Sequence, residues 1–371
     1  MAACWAVNAI ACTAYAPPSK LAPDRQETPW LAYLGNAQHD PSAAETLSAD
    51  PRPVWQTTAG RAVRGCPALG ETVIAVGTAD RQVVLLDRAT GQVVWRVRLQ
   101  GPIRGGPLLD HDRLYVATEA PPDGRVFALQ LKDGRTLWST RAGSIRAALA
   151  LEGDTLYAGT EAGLVLRIAA ADGKIVWRRQ LRGAIRAPAV PTPSGIAVAT
   201  TADTLFLLDR TTGEVRGRLV TPGTVLDAPA LGPDGTALYM GTTSGHLLAV
   251  QLPQLSVTWD VSAGDAVLGA PAVTRETVYA LARNGVLWIV PRGDGAAARS
   301  LPLGIVAVAG PNPLERGVLA ASVSGEVLLV DPASGAISWR AQIDGPIEQP
   351  PLVSNGDLVV VGGRGDIHVY R

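Results

Sequence analysis

The sequence predicts an all-β protein, an eight-bladed β-propeller of four-stranded repeats that is closed by its own N-terminal strand. Three observations lead to this fold class. A tryptophan position recurs at a nearly constant interval along most of the 371 residues. Four short strand signals, separated by turn-forming residues, lie between consecutive tryptophan positions. The last repeat also lacks a tryptophan strand, whereas one such strand stands alone near the start of the chain.

Two independent anchor positions define the repeat, and both keep a period of 39 to 43 residues. The first anchor is Trp55, Trp95, Trp138, Trp177, Gly217, Trp259, Arg299 and Trp339. The second anchor is Pro67, Pro107, Leu149, Ala189, Pro229, Pro271, the less regular segment 309–311, and Pro351. Four short strands in about 40 residues are typical of propeller blades, whereas helical repeats need an apolar spacing of about 3.6 residues.

Each repeat is expected to contain strands of five or six residues. The third repeat shows them as SIRAALAL, TLYAGTE, GLVLRIA and KIVWRRQL, with EGD and ADG at turns. The anchor tryptophan lies in the outermost strand of a blade, where its ring can pack against the next blade. The expected docking residues are Trp55, Trp95, Trp138, Trp177, Trp259 and Trp339. Blades four and six, with Gly217 and Arg299 instead, are expected to be held less firmly.

The two ends of the repeat region are expected to form one blade together. The segment RPVWQTTAG, Arg52 to Gly60, has no repeat before it, and the last repeat ends after three strands. Pairing the two removes a sheet edge that could otherwise pair with another chain. Residues 54–371 are therefore predicted to form one domain, preceded by a leader at residues 30–53. Deleting residues 51–60 is expected to cost several kcal/mol, since losing a buried tryptophan alone costs about 3–5 kcal/mol.

Residues 1–29 are expected to be a signal or lipoprotein segment followed by a tether. MAACWAVNAIACTAYAPPSK is apolar at first and then rich in proline and polar residues, although it lacks a positively charged start. AIAC resembles a bacterial lipoprotein cleavage site, with Ala9 where leucine is usual, and makes Cys12 the candidate for lipidation. An ordinary signal peptide and a disordered terminus are the alternatives. We expect an exported, periplasmic protein that a lipid on Cys12 would anchor to the outer membrane.

Composition and motifs argue against several classes of function. The formal net charge is zero, so nothing indicates a nucleic-acid partner or an anionic membrane surface. Apolar runs in the body of the chain end after about five residues, against roughly 20 for a membrane helix. The three cysteines form no paired motif and the four histidines are scattered, so no metal site is predicted. G-x-S-x-G, S-x-x-K and H-E-x-x-H are absent, and no catalytic residue is expected.

One constellation is a candidate binding site for an anion or a partner. The residue after the first apolar position of each inner strand is, in order, Arg64, Arg104, Arg146, Arg186, Leu226, Leu268, Val306 and Glu348. Inner strands line the axis of a propeller, so these residues are expected at the rim of the central funnel. Four like charges need negative groups among them. An anionic ligand, an acidic partner, or Asp227 and Glu348 could supply these groups; the alternative is a solvated rim with no ligand.

The repeat TVIAVGTADRQVVLLDRATGQVVWRVRL resembles that of the pyrroloquinoline-quinone (PQQ)-type propellers, with its TG turn and docking tryptophan. The resemblance covers residues 54–371, and PWLAYLGNAQHD, Pro29 to Asp40, is similar to a segment that often precedes the first blade. In length and layout the chain resembles the BamB family, the compact, PQQ-free propeller lipoproteins of outer-membrane barrel assembly. Quinoprotein dehydrogenases are longer and usually carry a vicinal Cys-Cys pair and calcium ligands. This chain has neither a Cys-Cys pair nor long insertions.

The resemblance implies a non-enzymatic periplasmic interaction scaffold, without a cofactor, that assists the assembly of outer-membrane β-barrel proteins. Its partners would be proteins of a barrel-assembly complex, and it would meet the membrane only through a lipid anchor. One fold hosts several functions, so two alternatives stay open. These are a quinoprotein oxidoreductase that uses PQQ and calcium, and a propeller that binds a ligand or polymer.

Overall fold

The computed structural model describes residues 47–371 and confirms the predicted fold class. These residues form eight antiparallel sheets of four strands each, the blades of a β-propeller, and one short 3-10 helix at Gly295–Ala297. Within this part of the chain, no helix has the length and apolar character needed to cross a membrane. Cys12, the predicted signal segment at residues 1–29 and residues 30–46 of the leader lie outside the described residues.

The first strand, β1 (Pro53–Thr58), precedes four complete blades, each running from its inner to its outer strand. Blade one is β2 (Ala68–Leu69), β3 (Val73–Gly77), β4 (Gln82–Asp87) and β5 (Val93–Arg98), and blade two is β6 (Leu108–Asp110), β7 (Arg113–Ala117), β8 (Arg125–Gln130) and β9 (Thr136–Arg141). Blade three is β10 (Ala150–Glu152), β11 (Thr155–Gly159), β12 (Leu164–Ala169) and β13 (Ile175–Gln180), and blade four is β14 (Val190–Thr192), β15 (Gly195–Thr200), β16 (Thr204–Leu208) and β17 (Val215–Val220).

Three further complete blades and the closing blade follow in the same order. Blade five is β18 (Ala230–Leu231), β19 (Ala237–Gly241), β20 (His246–Gln251) and β21 (Ser256–Ser262), and blade six is β22 (Ala272–Val273), β23 (Thr277–Leu281), β24 (Val286–Pro291) and β25 (Arg299–Pro302). Blade seven is β26 (Asn312–Leu314), β27 (Gly317–Ala321), β28 (Glu326–Val330) and β29 (Ile337–Gln342), and blade eight is β30 (Leu352–Ser354), β31 (Asp357–Val361), β32 (Asp366–Tyr370) and β1.

The middle strands of each blade are covered on both faces by neighbouring blades, and they therefore read as continuous apolar runs. All five residues of β3 and of β11 are buried. Outer strands such as β13 alternate instead between partly buried and exposed residues, because one face of these strands packs against the next blade and the other faces solvent. This difference explains why the four strand signals of one repeat do not share a single hydrophobic pattern.

Blade eight joins the two ends of the described chain. Its strand order is β1-β32-β31-β30, so the N-terminal strand takes the outer position that the last repeat leaves empty. Arg52 lies just before β1 and Arg371 just after β32, and their backbones exchange two hydrogen bonds of 2.8 and 2.9 Å. The predicted closure is therefore confirmed.

Six tryptophans contact the following blade in the same way. In each, the indole Nε1 donates a hydrogen bond to a backbone carbonyl at 2.7 to 3.2 Å. The pairs are Trp55 with Arg88, Trp95 with Leu131, Trp138 with Ala170, Trp177 with Arg210, Trp259 with Arg292, and Trp339 with Pro51. The turn glycine nearby packs on the ring, since a Cβ at Gly91 (φ 72°) would lie 2.5 Å from Cε3 of Trp55. The TG turn of one repeat and the tryptophan of the repeat before it thus form one contact.

Blades four and six use leucine where the tryptophan is missing. Gly217 of blade four faces Leu255 of blade five, whose Cδ1 would lie 3.2 Å from a Cβ at Gly217. Leu255 is buried and occupies the turn position that is glycine in other blades, with a φ of 56°. After blade six, Leu301 packs on Gly335 of blade seven. Whether these two seams are weaker stays a prediction.

A β-bulge precedes the anchor position in seven of the eight blades. In blade three, Arg167 pairs with Trp177 while Ile168 pairs with Ile175, which leaves Val176 as the extra residue. Blades one, two, four, five, seven and eight show the same shift, and blade six has none. A bulge bends a strand and re-aims the side chains beside it. Here it lies next to the residue that contacts the following blade.

Candidate functional site

The predicted arginine arc lies around one depression of about 480 Å³ at the mouth of the central funnel. We call this depression the mouth; one equivalent position of every blade contributes to its lining. These residues are Arg64, Arg104, Arg146, Arg186, Leu226, Leu268, Val308 and Glu348. They do not belong to the inner strands, as the sequence pattern suggested, but to the extended segments that lead into them. Arg64, for example, precedes the first residue of β2 by four positions.

The seventh member of this set is Val308, which corrects the expectation for Val306. In every blade the mouth residue follows a buried apolar residue, such as Ile103 before Arg104 or Val267 before Leu268. In the seventh unit two alternate residues, Ile305 and Ala307, are both buried, so the sequence offered two registers. The second register is the one adopted, and Val306 lies outside the mouth with half of its side chain exposed.

The arginines of the mouth are paired with carboxylates of this same chain. Arg64 bonds to Glu348, which the sequence pattern had placed nearby. Glu119 receives both Arg104 (Nε to Oε2, 2.7 Å) and Arg146 (Nε to Oε1, 3.4 Å). The fourth pair is Arg186 with Glu161, at 3.1 Å from Nη2 to Oε2. Carboxylates of the same chain thus offset the positive charges of the arc, and Glu119 pairs with two of the arginines.

Sequence reasoning missed Glu119 and Glu161, although a signal for them exists. Each directly follows a threonine at the end of the second strand of its blade, in VATE of blade two and AGTE of blade three. The same dipeptide at the same repeat position places two carboxylates on neighbouring turns. Asp227, considered as a counter-charge for the arc, accepts hydrogen bonds from the backbone N–H groups of Ala228 (2.7 Å) and Ala270 (2.9 Å). It therefore links blades five and six.

The opposite side of the mouth is apolar. Leu226, Leu268, Val308 and Val323 line it, and each is half-buried. The mouth is consequently two-sided, with paired arginines from blades one to four and aliphatic side chains from blades five to seven. Such a surface suits a ligand or segment that presents a polar or acidic group beside an apolar one.

The thiol of Cys66 lies beside the mouth and is buried. Its Sγ donates a hydrogen bond to Oε1 of Gln349 at 3.0 Å, and Nε2 of Gln349 donates to the carbonyl of Arg64 at 2.6 Å. Burial raises the pKa of the Cys66 thiol well above its usual value, and the Asp227 carboxylate raises it further. Cys66 is therefore a protonated packing residue at neutral pH and is not poised as a nucleophile.

The side chains around the mouth do not fit PQQ with calcium. PQQ is a tricarboxylate, and four arginines paired with the three glutamates Glu119, Glu161 and Glu348 leave at most one positive charge, too little for three further carboxylates. Among residues 47–371, no group of three or more His, Cys, Asp or Glu side chains is arranged to hold a metal ion.

Architecture and repeat together define the class of this protein, a closed eight-bladed β-propeller of PQQ-like repeats. Comparison with known proteins narrows the class. The family described as outer membrane protein assembly factor BamB matches residues 45–189, 122–252, 201–300 and 300–371. The chain belongs to this family.

Individual relatives are distant in sequence and similar in fold. The outer membrane protein assembly factor BamB of Xanthomonas campestris pv. campestris is 24% identical over 325 residues, which are 83% of this chain and 69% of the relative. The BamB of Bordetella pertussis is 24% identical over 75% of each chain. The crystal structure of BamB from Moraxella catarrhalis aligns with a TM-score of 0.73 at 17% identity, covering 86% of this chain and 97% of that one. A computationally designed protein, Ika8, aligns with a TM-score of 0.72 at 14% identity, covering 88% and 99%. At these identities the solved structures show the fold alone.

Proposed function

We propose that this chain is a non-enzymatic periplasmic scaffold that assists the assembly of outer-membrane β-barrel proteins. The observation that carries the proposal is the family match, which extends over all eight blades. Relatives that are named outer membrane protein assembly factors support it. Nearly all described residues build blades or the short turns between them, which leaves no insertion for a catalytic chamber. The proposal includes no cofactor.

The mouth is the proposed contact with a partner protein. Its arginines are held by Glu119, Glu161 and Glu348, so their guanidinium groups are ordered before a partner arrives. Ordered side chains lose less conformational entropy on binding than mobile ones do. A partner loop with an acidic residue beside an apolar residue would meet the arginines on one side and Leu226 and Leu268 on the other. In this proposal the rigid closed ring holds both halves at a constant separation.

Co-purification from native membranes tests the scaffold. A tagged full-length chain is extracted in mild detergent, and the retained proteins are identified by mass spectrometry. We expect an outer-membrane barrel protein and other assembly factors to be retained. A chain that is recovered alone from the soluble fraction would overturn the scaffold. That outcome would favour a ligand- or polymer-binding propeller.

Charge reversal tests the mouth. The double variant R104E/R146E should weaken the affinity for the partner by at least about tenfold, since rim charges commonly control association. The matched control is R96E/R178E, which makes the same charge change on the exposed outer strands of blades one and three. A second variant, L226S/L268S, tests the apolar side. Thermal melting verifies that each variant is folded. Unchanged retention by both mouth variants would exclude the mouth as the contact.

Export and anchoring are proposed from the sequence, because the terminal segment lies outside the described residues. Cys12 is the proposed lipidation site, and the mature protein would sit in the periplasm at the outer membrane. Replacing this residue, C12S, should move the protein from the membrane fraction to the soluble periplasmic fraction. Mass spectrometry of the wild-type N-terminal peptide should show a diacylglyceryl adduct, and an unmodified Cys12 would contradict the proposal.

A further inference from the structure

A row of three side chains on blade three faces blade four and differs from the equivalent rows elsewhere. Tyr157 of β11 pairs with Arg167 of β12, and Arg167 pairs with Trp177 of β13. The residue equivalent to Arg167 is aliphatic in all seven other blades, namely Leu85, Ala128, Leu207, Ala249, Ile289, Leu329 and Val369. A charged side chain has thus replaced an apolar one at this position between two blades.

Blades two and five show the ordinary form of the row. Their tyrosine and tryptophan rings meet over an alanine, with ring centroids 5.9 and 5.8 Å apart. Both tyrosine hydroxyls have partners: Tyr115 donates to the carbonyl of Ala170 at 3.3 Å, and Tyr239 accepts from Nε of Arg292 at 3.2 Å. In blade three the rings are 6.3 Å apart, although Arg167 lies between their strands.

Three polar atoms of this seam lack hydrogen-bond partners, and two of them have equivalents in other blades that are paired. Tyr157 is about 1% exposed, and its hydroxyl has no hydrogen-bond partner among the described residues. The same holds for Nε of Arg167 and Nε of Arg210; these two atoms are buried, whereas the Arg210 side chain as a whole is 41% exposed. Arg210 is the blade-four counterpart of Arg292, whose Nε reaches a tyrosine. Buried polar groups are nearly always satisfied in native proteins, so three orphaned donors in one seam indicate a missing partner.

The charges of the seam show the sign of that partner. Nη2 of Arg210 donates to the carbonyl of Thr192 at 2.5 Å and lies 3.0 Å from Oε1 of Glu152. Burial raises the pKa of the Tyr157 hydroxyl, Glu152 raises it further, and Arg167 and Arg210 oppose this rise. Two guanidinium groups and one carboxylate leave the seam with one positive charge. The unpaired groups are hydrogen-bond donors, two N–H and one O–H, and they suit a negatively charged hydrogen-bond acceptor.

We propose that the seam between blades three and four binds a small monovalent anion, either chloride or a carboxylate of the size of formate. Tyr157, Arg167 and Arg210 are its ligands. The site is small because it lies among the packed side chains of the seam, including Val165, Ile196 and Val198. It is distinct from the mouth, and its occupation joins two blades. The proposal does not depend on the proposed function.

Anion-dependent melting tests the site. The full-length chain is dialysed free of halide and carboxylate, and sodium chloride or sodium formate is then titrated at constant ionic strength against the bulky MOPS anion. A ligand that binds only the folded state raises the melting temperature, and over a hundredfold range of concentration we expect about 3 °C. Arg178 on β13 is exposed and supplies the control R178A, which should respond like the wild type.

The variant R167A should fold, because blades two and five have alanine at this position. We expect it to be at least as stable as the wild type without anion and to show no response to chloride or formate. An equal response in the wild type and in R167A, or no response in either, would overturn the proposal. Y157F, which removes only the hydroxyl, provides a second variant and should weaken the response.

Bromide locates the anion directly. Crystals of the wild-type protein soaked in sodium bromide should show an anomalous peak between the Tyr157 hydroxyl and the guanidinium groups of Arg167 and Arg210. The R167A crystals should lack this peak. Water in place of bromide at this position, with ordered side chains around it, would show that the seam is hydrated and would refute the site.

Discussion

Nε of Arg88 in blade one lies 2.9 Å from Oδ2 of Asp357 in blade eight, and both side chains are at least 95% buried. Arg88 also donates to the carbonyls of Gly70 and Ser354. The ion pair therefore joins blade one to the blade that contains both ends of the described chain. Arg88 has a second role there, because its own carbonyl accepts the indole N–H of Trp55.

Breaking this pair should strongly destabilise the ring. The substitution D357N leaves the Arg88 guanidinium buried without a counter-charge, which typically costs about 3–5 kcal/mol. Urea unfolding followed by tryptophan fluorescence measures the loss of free energy. The matched control is D172N, whose partner Lys174 is exposed, and it should have a far smaller effect. Equal effects of the two substitutions would show that the buried pair contributes nothing particular to closure.

The leucine seam between blades four and five should be convertible into a tryptophan seam. G217W alone should destabilise the protein, because the new side chain meets Leu255 at once. L255G alone leaves a cavity. The double variant G217W/L255G restores the tryptophan-on-glycine contact of the other blades and should be more stable than either single variant. A double-mutant cycle should give a favourable coupling of at least about 1 kcal/mol, and strictly additive effects would contradict this account.

Removing the closing strand should cost both stability and solubility. Deleting residues 51–60 exposes the edge of β32 and the docking surface of Trp55, at a cost of several kcal/mol. Calorimetry should show a lower and broader transition, and size-exclusion chromatography should show self-association. A chain that begins at residue 47 keeps all eight blades and is the control. A deletion variant that melts like this control would show that closure is unimportant.

The stability of the ring should fall in alkali partly because of Cys66. Its folded pKa lies above the unfolded value of about 8.5, so the folded state keeps the proton that the unfolded state releases. The contribution of the thiol is therefore fully present below about pH 8.5 and decreases as the pH rises toward the folded pKa. Urea unfolding at pH 7, 9 and 10 should show a smaller alkaline loss for C66A than for the wild type, both in a C4S/C12S background. Identical pH profiles would contradict the assignment.

Much of the fold follows from the sequence because a propeller repeats one local pattern. The tryptophan anchors, the turn glycines and the incomplete last repeat are all local features, and together they define eight blades and their closure. A single tryptophan strand at the start of the chain is enough to predict how blade eight is completed. The bulge before seven of the eight anchors was not predicted, since one extra residue in a short strand does not disturb a period of about 40.

The sequence by itself determined the blade number, the closing strand and the four arginines as a set. Only the tertiary structure decided which groups surround them. Glu119 of blade two reaches Arg146 of blade three. Val308 lines the mouth instead of Val306, a choice that the two buried residues Ile305 and Ala307 left open in the sequence. The buried polar atoms without hydrogen-bond partners around Arg167 likewise cannot be recognised from the sequence of a single repeat. A repeat specifies what each blade carries, whereas pairing between blades depends on distances that only the closed ring sets.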